Sequence, residues 1–272
     1  ASSCSAIELL RDAGFLEAPV KGAVFEGTRA DAIKIYANLF QESVEERLLP
    51  GKFTVPLSGG RDSRHILLDC LQLGRVPDCI VTSKKSEVTG QDEVDVASLL
   101  CTAYDLQHIV TEYDKSNVVE DEIKKNELTH YLSDEHGWYL SVVDKLKDEN
   151  IDLLLDGIGG DVLSNGLFYE AGLLDSFNQK NTFAVTERLM GKKSELSYLS
   201  ESQKKNLCWD RAANHLMSEL EKHCDSNNPI QSFYFWNRTR REISLSPLCM
   251  MPHTISVGLP YLSPRLIEFF FT

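Results

Sequence analysis

The sequence lacks several features that define other classes of protein. No uninterrupted apolar run approaches the roughly 20 residues that a membrane-spanning helix needs. Its seven cysteines are scattered and no two have Cys-x-x-Cys spacing, which leaves a zinc site or a redox dithiol unsupported. Residues 1–30 carry charges throughout, so we predict no signal peptide and expect a cytoplasmic protein.

Positive charge is also scarce. The 272 residues include 28 Lys and Arg and 41 Asp and Glu, which give a net charge of −13. This charge argues against a protein that binds a nucleic acid over a large surface. Basic residues cluster at Arg238–Arg241 and at Lys204-Lys205, patterns more typical of a solvated helical face. The arginine cluster is retained as a candidate for phosphate binding. With 42% apolar residues, the chain can still bury a substantial core.

The most informative stretch is an apolar strand that runs into a glycine-rich loop and then a helix. Residues Val55–Ser63 read VPLSGGRDS. The adjacent glycines let the backbone approach a ligand, and the first turn of the helix offers N–H groups to an anion. No lysine follows in the Walker arrangement, so this is not the loop of kinases and GTPases. The alternative is an ordinary strand-to-helix turn with a capping hydroxyl.

Asp62 indicates a metal at this loop. Its carboxylate lies among the predicted phosphate donors, where it would repel a polyphosphate unless a divalent cation lay between them. The loop therefore predicts a polyphosphate site that contains Mg²⁺.

A second glycine-rich loop follows a short apolar strand at Asp152–Leu155. Residues 156–161 read DGIGGD, so three glycines again allow close approach of a ligand and Asp161 supplies a second carboxylate. Taken alone, the pattern is compatible with a solvated turn. Next to the first loop, it predicts a second part of the same site.

Together these motifs resemble the synthetase domain of the asparagine synthetase family, within the PP-loop ATP pyrophosphatases. The similarity runs from about Thr28 to the last residue, because Gln91-Asp92-Glu93 resembles the family's Asp-Glu helix and Leu259–Phe269 resembles its Pro-Phe-Leu-Asp segment. It implies that ATP and a carboxylate give an acyl-adenylate and pyrophosphate, and that an amine then displaces AMP.

The resemblance also implies roles for individual residues. Asp62 and Asp161 are expected to be catalytic and to share Mg²⁺, and backbone atoms of Val81 and Thr82 are expected to hold the adenine of ATP. The alternative for these last two is a strand that simply enters the loop at Ser83-Lys84-Lys85. The full set expected to bind ATP is Leu57, Ser58, Gly59, Gly60, Arg61, Asp62, Ser63, Val81, Thr82, Gly157, Gly159 and Gly160.

Departures from the family pattern bear on the substrate. Where the family reads Ser-Gly-Glu-Gly-Ser-Asp-Glu, its two glutamates are replaced here by Ile158 and Val162, and its second serine by Gly160. An apolar wall of Ile158 and Val162 would not bind the ammonium group of free aspartate. The sequence therefore fits better the relatives that activate larger carboxylates, such as the β-lactam and lasso-peptide cyclases. Glu170 or Glu242 could instead supply the missing carboxylate.

Two other functions stay open on the sequence. One is a non-catalytic nucleotide-binding protein or degenerate synthetase subunit, and the other is a tRNA-modifying PP-loop enzyme. The family's glutamine-hydrolysing domain starts with a nucleophilic cysteine, whereas this sequence starts Ala1-Ser2-Ser3-Cys4. We therefore expect the amine to come from solution, from a separate partner chain or from the substrate. The family's lysine beyond the Pro-Phe-Leu-Asp segment is assigned to no residue here.

The order of patterns along the chain predicts an α/β fold. Strands are expected near Phe53–Leu57, Cys79–Thr82, His108–Val110 and Asp152–Leu155. Helical stretches separate them, as in a doubly wound, mostly parallel sheet with ligands at the carboxyl ends of its strands. We predict an N-terminal segment over residues 1–29, a PP-loop ATP-binding core over 30–169, and a helical part over 170–272 that completes the synthetase domain.

Overall fold

The computed structural model describes residues 23–84, 89–112, 115–133, 136–164, 166–190, 200–206, 209–243 and 245–272. Cys4 and Lys85 lie outside these ranges. Among the described residues, no helix has both the length and the apolar character needed to cross a membrane.

A five-stranded sheet organises the fold. Its strands are β1 (Phe53–Pro56), β2 (Cys79–Lys84), β3 (His108–Glu112), β4 (Leu153–Leu155) and β5 (Ser256–Gly258). They pair in the order β3-β2-β1-β4-β5, and every pair is parallel. The prediction of a doubly wound parallel sheet is confirmed. Strand β5 comes from the part beyond residue 170, where the sequence analysis predicted only helices.

Helices connect and cover these strands. In chain order they are α1 (Arg29–Glu45), α2 (Arg61–Gln72), α3 (Thr89–Ala103), α4 (Val118–Leu128), α5 (Tyr139–Asp148), α6 (Gly160–Leu163), α7 (Ala171–Asn178), α8 (Thr182–Met190), α9 (Glu201–Asn206), α10 (Trp209–Glu221), α11 (Pro229–Tyr234), α12 (Leu245–Met250) and α13 (Pro264–Phe270). Short 3₁₀ turns lie at Lys115–Asn117 and Pro260–Leu262, and a π-helix spans Phe235–Ile243. Helix α1 starts with a capping box, in which the Thr28 hydroxyl accepts from Asp31 N–H.

Two apolar layers enclose the sheet. Side chains alternate along each strand, so Ile80 of β2 faces one layer and Val81 faces the other. Helices α1, α2 and α3 supply the first layer, which includes Phe40 and Ile66. Helices α5 and α12 supply the second. Burial on both faces explains why the strand sequences are almost continuously apolar.

The strand order reverses beside β1. Strands β1, β2 and β3 follow one another outward, whereas β4 pairs with the other side of β1, with Phe53 opposite Leu153. In open parallel sheets, the crevice at the carboxyl ends of the strands that flank such a reversal is the usual ligand site. Because one glycine-rich loop follows β1 and the other follows β4, both lie at this crevice.

The C-terminal residues return to this part of the molecule. Beyond β5, the Pro260 carbonyl accepts from the Ser43 hydroxyl of α1 at 2.7 Å, and Arg265 pairs with Glu42. Tyr261 is thereby buried in the first layer, next to Phe40.

Candidate functional site

The first loop leaves β1 with its backbone tied to β2. Leu57 N–H donates to the Val81 carbonyl at 2.9 Å, and the Thr82 hydroxyl donates to the Leu57 carbonyl at 2.8 Å. All three residues are buried at the end of the sheet. Val81 and Thr82 therefore lie directly beside the loop, and their contact with adenine stays a prediction.

Two serines fold the first loop onto the start of α2. The Ser63 hydroxyl accepts from Ser58 N–H at 3.1 Å, and the Ser58 hydroxyl accepts from Gly60 N–H at 3.1 Å. Gly60 is the N-cap of α2, and no described side chain caps the helix there. The helix start is thus available to an anion at the crevice. Arg61 is exposed and Asp62 is half-buried.

The second loop touches the first through Asp62. A Cβ atom on Gly160 would lie only 2.5 Å from Asp62 Cγ, and one on Gly157 would lie 3.2 Å from the Ser63 nitrogen. Gly159 has a φ of +88°, a left-handed conformation that favours glycine. The glycines are therefore explained by close approach and by a tight turn. The structure brings together the two loops that the sequence analysis singled out.

The comparison with known proteins now bears on this site. A family model described as asparagine synthase matches residues 36–272, which include both loops and the C-terminal return. The chain belongs to the asparagine synthase family. This confirms the resemblance drawn from the motifs, and the family is one of ATP-dependent carbon–nitrogen ligases. A search of curated proteins finds no match to the chain.

Asp156 holds the second loop in place through two hydrogen bonds. It occupies the position of the serine that begins the family's motif. One carboxylate oxygen accepts from Ile158 N–H at 2.8 Å and the other accepts from the Tyr139 hydroxyl. Both side chains are buried, and burial together with the Asp156 charge raises the pKa of Tyr139. The sequence analysis assigned Asp156 no role. The position of this aspartate, between an apolar strand and a glycine, could have indicated its role in the sequence.

Asp161 stands at the start of α6, directly after Gly160. One of its carboxylate oxygens accepts from Val162 N–H at 2.8 Å, and the side chain is half-buried. A third carboxylate lies beside the first loop, since a Cβ on Gly59 would be 3.4 Å from Glu93 Cα and Cγ. Glu93 belongs to the Asp-Glu helix of the resemblance, but the sequence analysis gave it no site role.

These residues fit Mg²⁺ held together with a polyphosphate. The described part of the chain has no group of three or more His, Cys, Asp or Glu side chains that could hold a metal alone. Mg²⁺ bound with phosphates usually takes one or two carboxylates and completes its shell with phosphate oxygens and water. Asp62 and Asp161, carried by touching loops, match that donor set. Gly157 and Gly160 let the second loop lie against Ser63 and Asp62, so the two aspartate-bearing loops are side by side.

The structure does not contain the predicted apolar wall formed by both Ile158 and Val162. Val162 is 2% exposed and packs in the core with Phe235 and Trp236, because α6 turns its side chain away from Asp62. Only Ile158, which is half-buried between the glycines, remains near the crevice. Glu170 is paired with Arg188, and the side chain of Glu242 lies outside the described part.

The arginine cluster packs on aromatic rings. Arg238 lies over Phe168 at 5.2 Å from the ring centroid, and Arg240 lies over Trp236 at 4.8 Å. In these cation–π contacts, the two guanidinium groups pack against aromatic rings of the helical part. The side chains of Arg241 and of Lys204-Lys205 lie outside the described part.

Proposed function

We propose that this chain is an AMP-forming amide synthetase. A carboxylate oxygen of the substrate attacks the α-phosphorus of ATP, and the bond to the bridging oxygen breaks so that pyrophosphate leaves. An amine then attacks the acyl carbon and AMP departs. The observation that supports this most strongly is the contact of Asp62 with Gly160, which joins two aspartate-bearing loops at the strand-order reversal.

Each loop residue has a defined task in this proposal. Bound Mg²⁺ would neutralise charge on the leaving pyrophosphate. Asp62 and Asp161 would hold it, while N–H groups of Gly59 and the first turn of α2 bind phosphate oxygens, and Gly60 N–H would join them once released from the Ser58 hydroxyl. The hydroxyls of Ser58 and Ser63, which lie 3.2 Å apart, would exchange their mutual hydrogen bond for bonds to phosphate.

The substrate carboxylate is proposed to belong to a molecule larger and less polar than free aspartate. Ile158 cannot accept a hydrogen bond from an ammonium group, and burial of that group without a partner would cost several kcal/mol, roughly the 2–7 kcal/mol of an unpaired polar group. Glu170, the alternative carboxylate, forms an exposed ion pair with Arg188 instead of facing Ile158 unpaired. An apolar acyl chain would instead gain about 25 cal/mol for each Å² that it buries.

Exchange of labelled pyrophosphate into ATP tests the proposal. With a panel of carboxylates, we expect exchange by the wild-type chain and a loss of at least about a hundredfold in Asp62→Asn and in Asp161→Asn. Asp175→Asn, on an exposed face of α7, is the matched control and should exchange normally.

Other outcomes favour other functions. Binding of ATP without exchange for any carboxylate would favour a non-catalytic nucleotide-binding subunit, and turnover that requires RNA would favour a tRNA-modifying enzyme. Near-normal exchange in either aspartate variant, with the fold intact, would defeat the roles of Asp62 and Asp161. Rapid AMP release with aspartate and ammonia would restore plain asparagine synthesis.

A further inference from the structure

A network of hydroxyl and imidazole groups joins α1, α2 and the C-terminal 3₁₀ turn close to the first loop. His65 is on α2, three residues after Asp62, and its Nδ1 atom is 3.2 Å from the Tyr36 hydroxyl and 3.2 Å from the Tyr261 hydroxyl. Its ring stacks on Phe40, with centroids 3.9 Å apart and planes 10° apart. The imidazole is therefore fixed by α1 on one side and by the C-terminal 3₁₀ turn on the other.

The Asp69 carboxylate lies on the Nε2 side of the His65 ring. Its Oδ2 atom faces His65 Nε2 across 3.8 Å and is buried without a hydrogen-bond partner in the described part of the chain. A carboxylate there favours the proton on Nε2, so Nδ1 is left to accept from a tyrosine hydroxyl. Burial lowers the pKa of His65, which keeps the ring neutral near pH 7.

The C-terminal turn that carries Tyr261 also contacts the second loop. A Cβ on Gly159 would lie 2.7 Å from Cδ2 of Leu262, the residue after Tyr261. The Ser164 hydroxyl donates to the Gly160 carbonyl at 2.7 Å, and Gly160 is the glycine that contacts Asp62. Burial raises the pKa of Tyr36 to about 12, and the charge of Asp62 acts in the same direction. Asp62 thus contacts the second loop at Gly160 and lies one turn of α2 from His65.

We propose that Tyr36, His65 and Tyr261 are positioning residues that hold Asp62 and Gly160 in register, so that the two loops bind Mg²⁺ and polyphosphate together. The inference rests on the proposed function above. It follows from geometry, because the His65 imidazole of α2 contacts both α1 and the C-terminal turn one helical turn from Asp62, and the C-terminal turn contacts the second loop at Gly159. Loss of one hydroxyl would remove a hydrogen bond to His65 and let the loops shift.

Three ring-preserving variants test the inference through the dependence of nucleotide binding on Mg²⁺. Tyr36→Phe and Tyr261→Phe keep the rings, and His65→Phe keeps the stack on Phe40 but removes the acceptor. We expect each to raise the Mg²⁺ concentration for half-maximal binding of an α,β-methylene ATP analogue about tenfold, as the loss of one hydrogen bond predicts. Calorimetry measures this without any turnover.

Two controls separate positioning from a general effect on the fold. His65→Asn, which restores an acceptor, should recover part of the Mg²⁺ affinity, and Tyr104→Phe at an exposed tyrosine should change nothing. An unchanged Mg²⁺ dependence in all three variants would overturn the inference, as would an equal loss of nucleotide affinity with and without Mg²⁺. If Tyr261→Phe does not fold, the half-buried Tyr36→Phe decides.

The binding measurement also distinguishes this inference from the proposed function. A wild-type chain that binds the Mg²⁺–nucleotide complex but never exchanges pyrophosphate would refute the proposed catalysis alone. Variants that bind like the wild type, in a chain that does exchange pyrophosphate, would refute the positioning roles alone.

Discussion

Gly160 is the residue at which a single added carbon has the most definite consequence. In Gly160→Ala, the new Cβ would lie 2.5 Å from Asp62 Cγ and 2.8 Å from its Oδ1. Real Cβ atoms do not approach so closely, so Asp62 or the second loop must move. We expect a loss of about a hundredfold in Mg²⁺-dependent pyrophosphate exchange, since a shift of about 1 Å is enough for such a loss.

Gly172→Ala is the matched control for this prediction. Its Cβ would meet only the Arg188 guanidinium, at 3.2 Å, and that flexible group can move aside. Exchange by Gly172→Ala should equal that of the wild type. Wild-type exchange by Gly160→Ala would show that contact between the loops is not needed.

At the residue scale, the sequence analysis identified residues that lie in local motifs and missed residues whose contacts are distant along the chain. Asp62 and Asp161 stand within recognisable loops, so they could be singled out. The contacts of His65 join residues 29 and 196 positions away, and no local pattern encodes them. No recognisable motif surrounds Tyr36, although its hydroxyl takes part in a polar network.

At the element scale, β5 shows why short strands escape prediction. It has three residues, Ser256–Gly258, too few for a period of two to be recognised. Its pairing with β4 places it in the sheet, and that partner lies about a hundred residues earlier. Strand β2 also extends to Lys84, two residues beyond its predicted end at Thr82, because β3 continues beside it.

Gly258 lets β5 fit against β4, and this gives a prediction for the element. A Cβ on Gly258 would lie 2.6 Å from Leu155 Cδ2 and 3.2 Å from Arg47 Cβ. Gly258→Ala should therefore lower the free energy of unfolding by about 1–3 kcal/mol, the usual cost of overpacking. Urea unfolding measures the change. Gly172→Ala, at a helical position where the flexible Arg188 guanidinium can move aside, should be neutral or slightly stabilising. Equal stability of the two variants would contradict the packing argument.

At the scale of the whole molecule, the fold class followed from the alternation of helical and strand patterns. The strand order β3-β2-β1-β4-β5 then explains the site, because it makes the two loop-bearing strands neighbours. Sequence spacing alone did not fix that order. The polar contacts among α1, α2 and the C-terminal turn depend on it as well, since they require β5 to return beside β4.

Two buried groups should change the stability of the folded chain in opposite directions as pH falls. His223 Nε2 accepts from Asn237 at 3.1 Å and Nδ1 lies 2.8 Å from the Ser232 hydroxyl, so the folded chain holds the ring neutral. Burial lowers the pKa of His223 to about 4. Burial raises the pKa of Asp69 to about 6. The ordinary values are about 6.5 for histidine and about 3.9 for aspartate.

The pH dependence of unfolding should therefore separate these two groups. Between about pH 4 and 6.5 the unfolded chain binds a proton at His223 that the folded chain does not, so this group lowers stability on acidification. Between about pH 4 and 6 the folded chain binds the extra proton at Asp69, so that group raises it. Urea titrations at about pH 4.5–6 measure how the free energy of unfolding changes with pH. As pH falls, this free energy should decrease more steeply in Asp69→Asn than in the wild type, and less steeply in His223→Gln. Each slope should differ from that of the wild type by up to about 1.4 kcal/mol per pH unit. Slopes are compared because a uniform loss of stability cancels from them, and the double variant should return near the wild-type slope if the two sites are independent. Equal slopes in all four chains, or shifts in the same direction, would refute the opposed proton linkage.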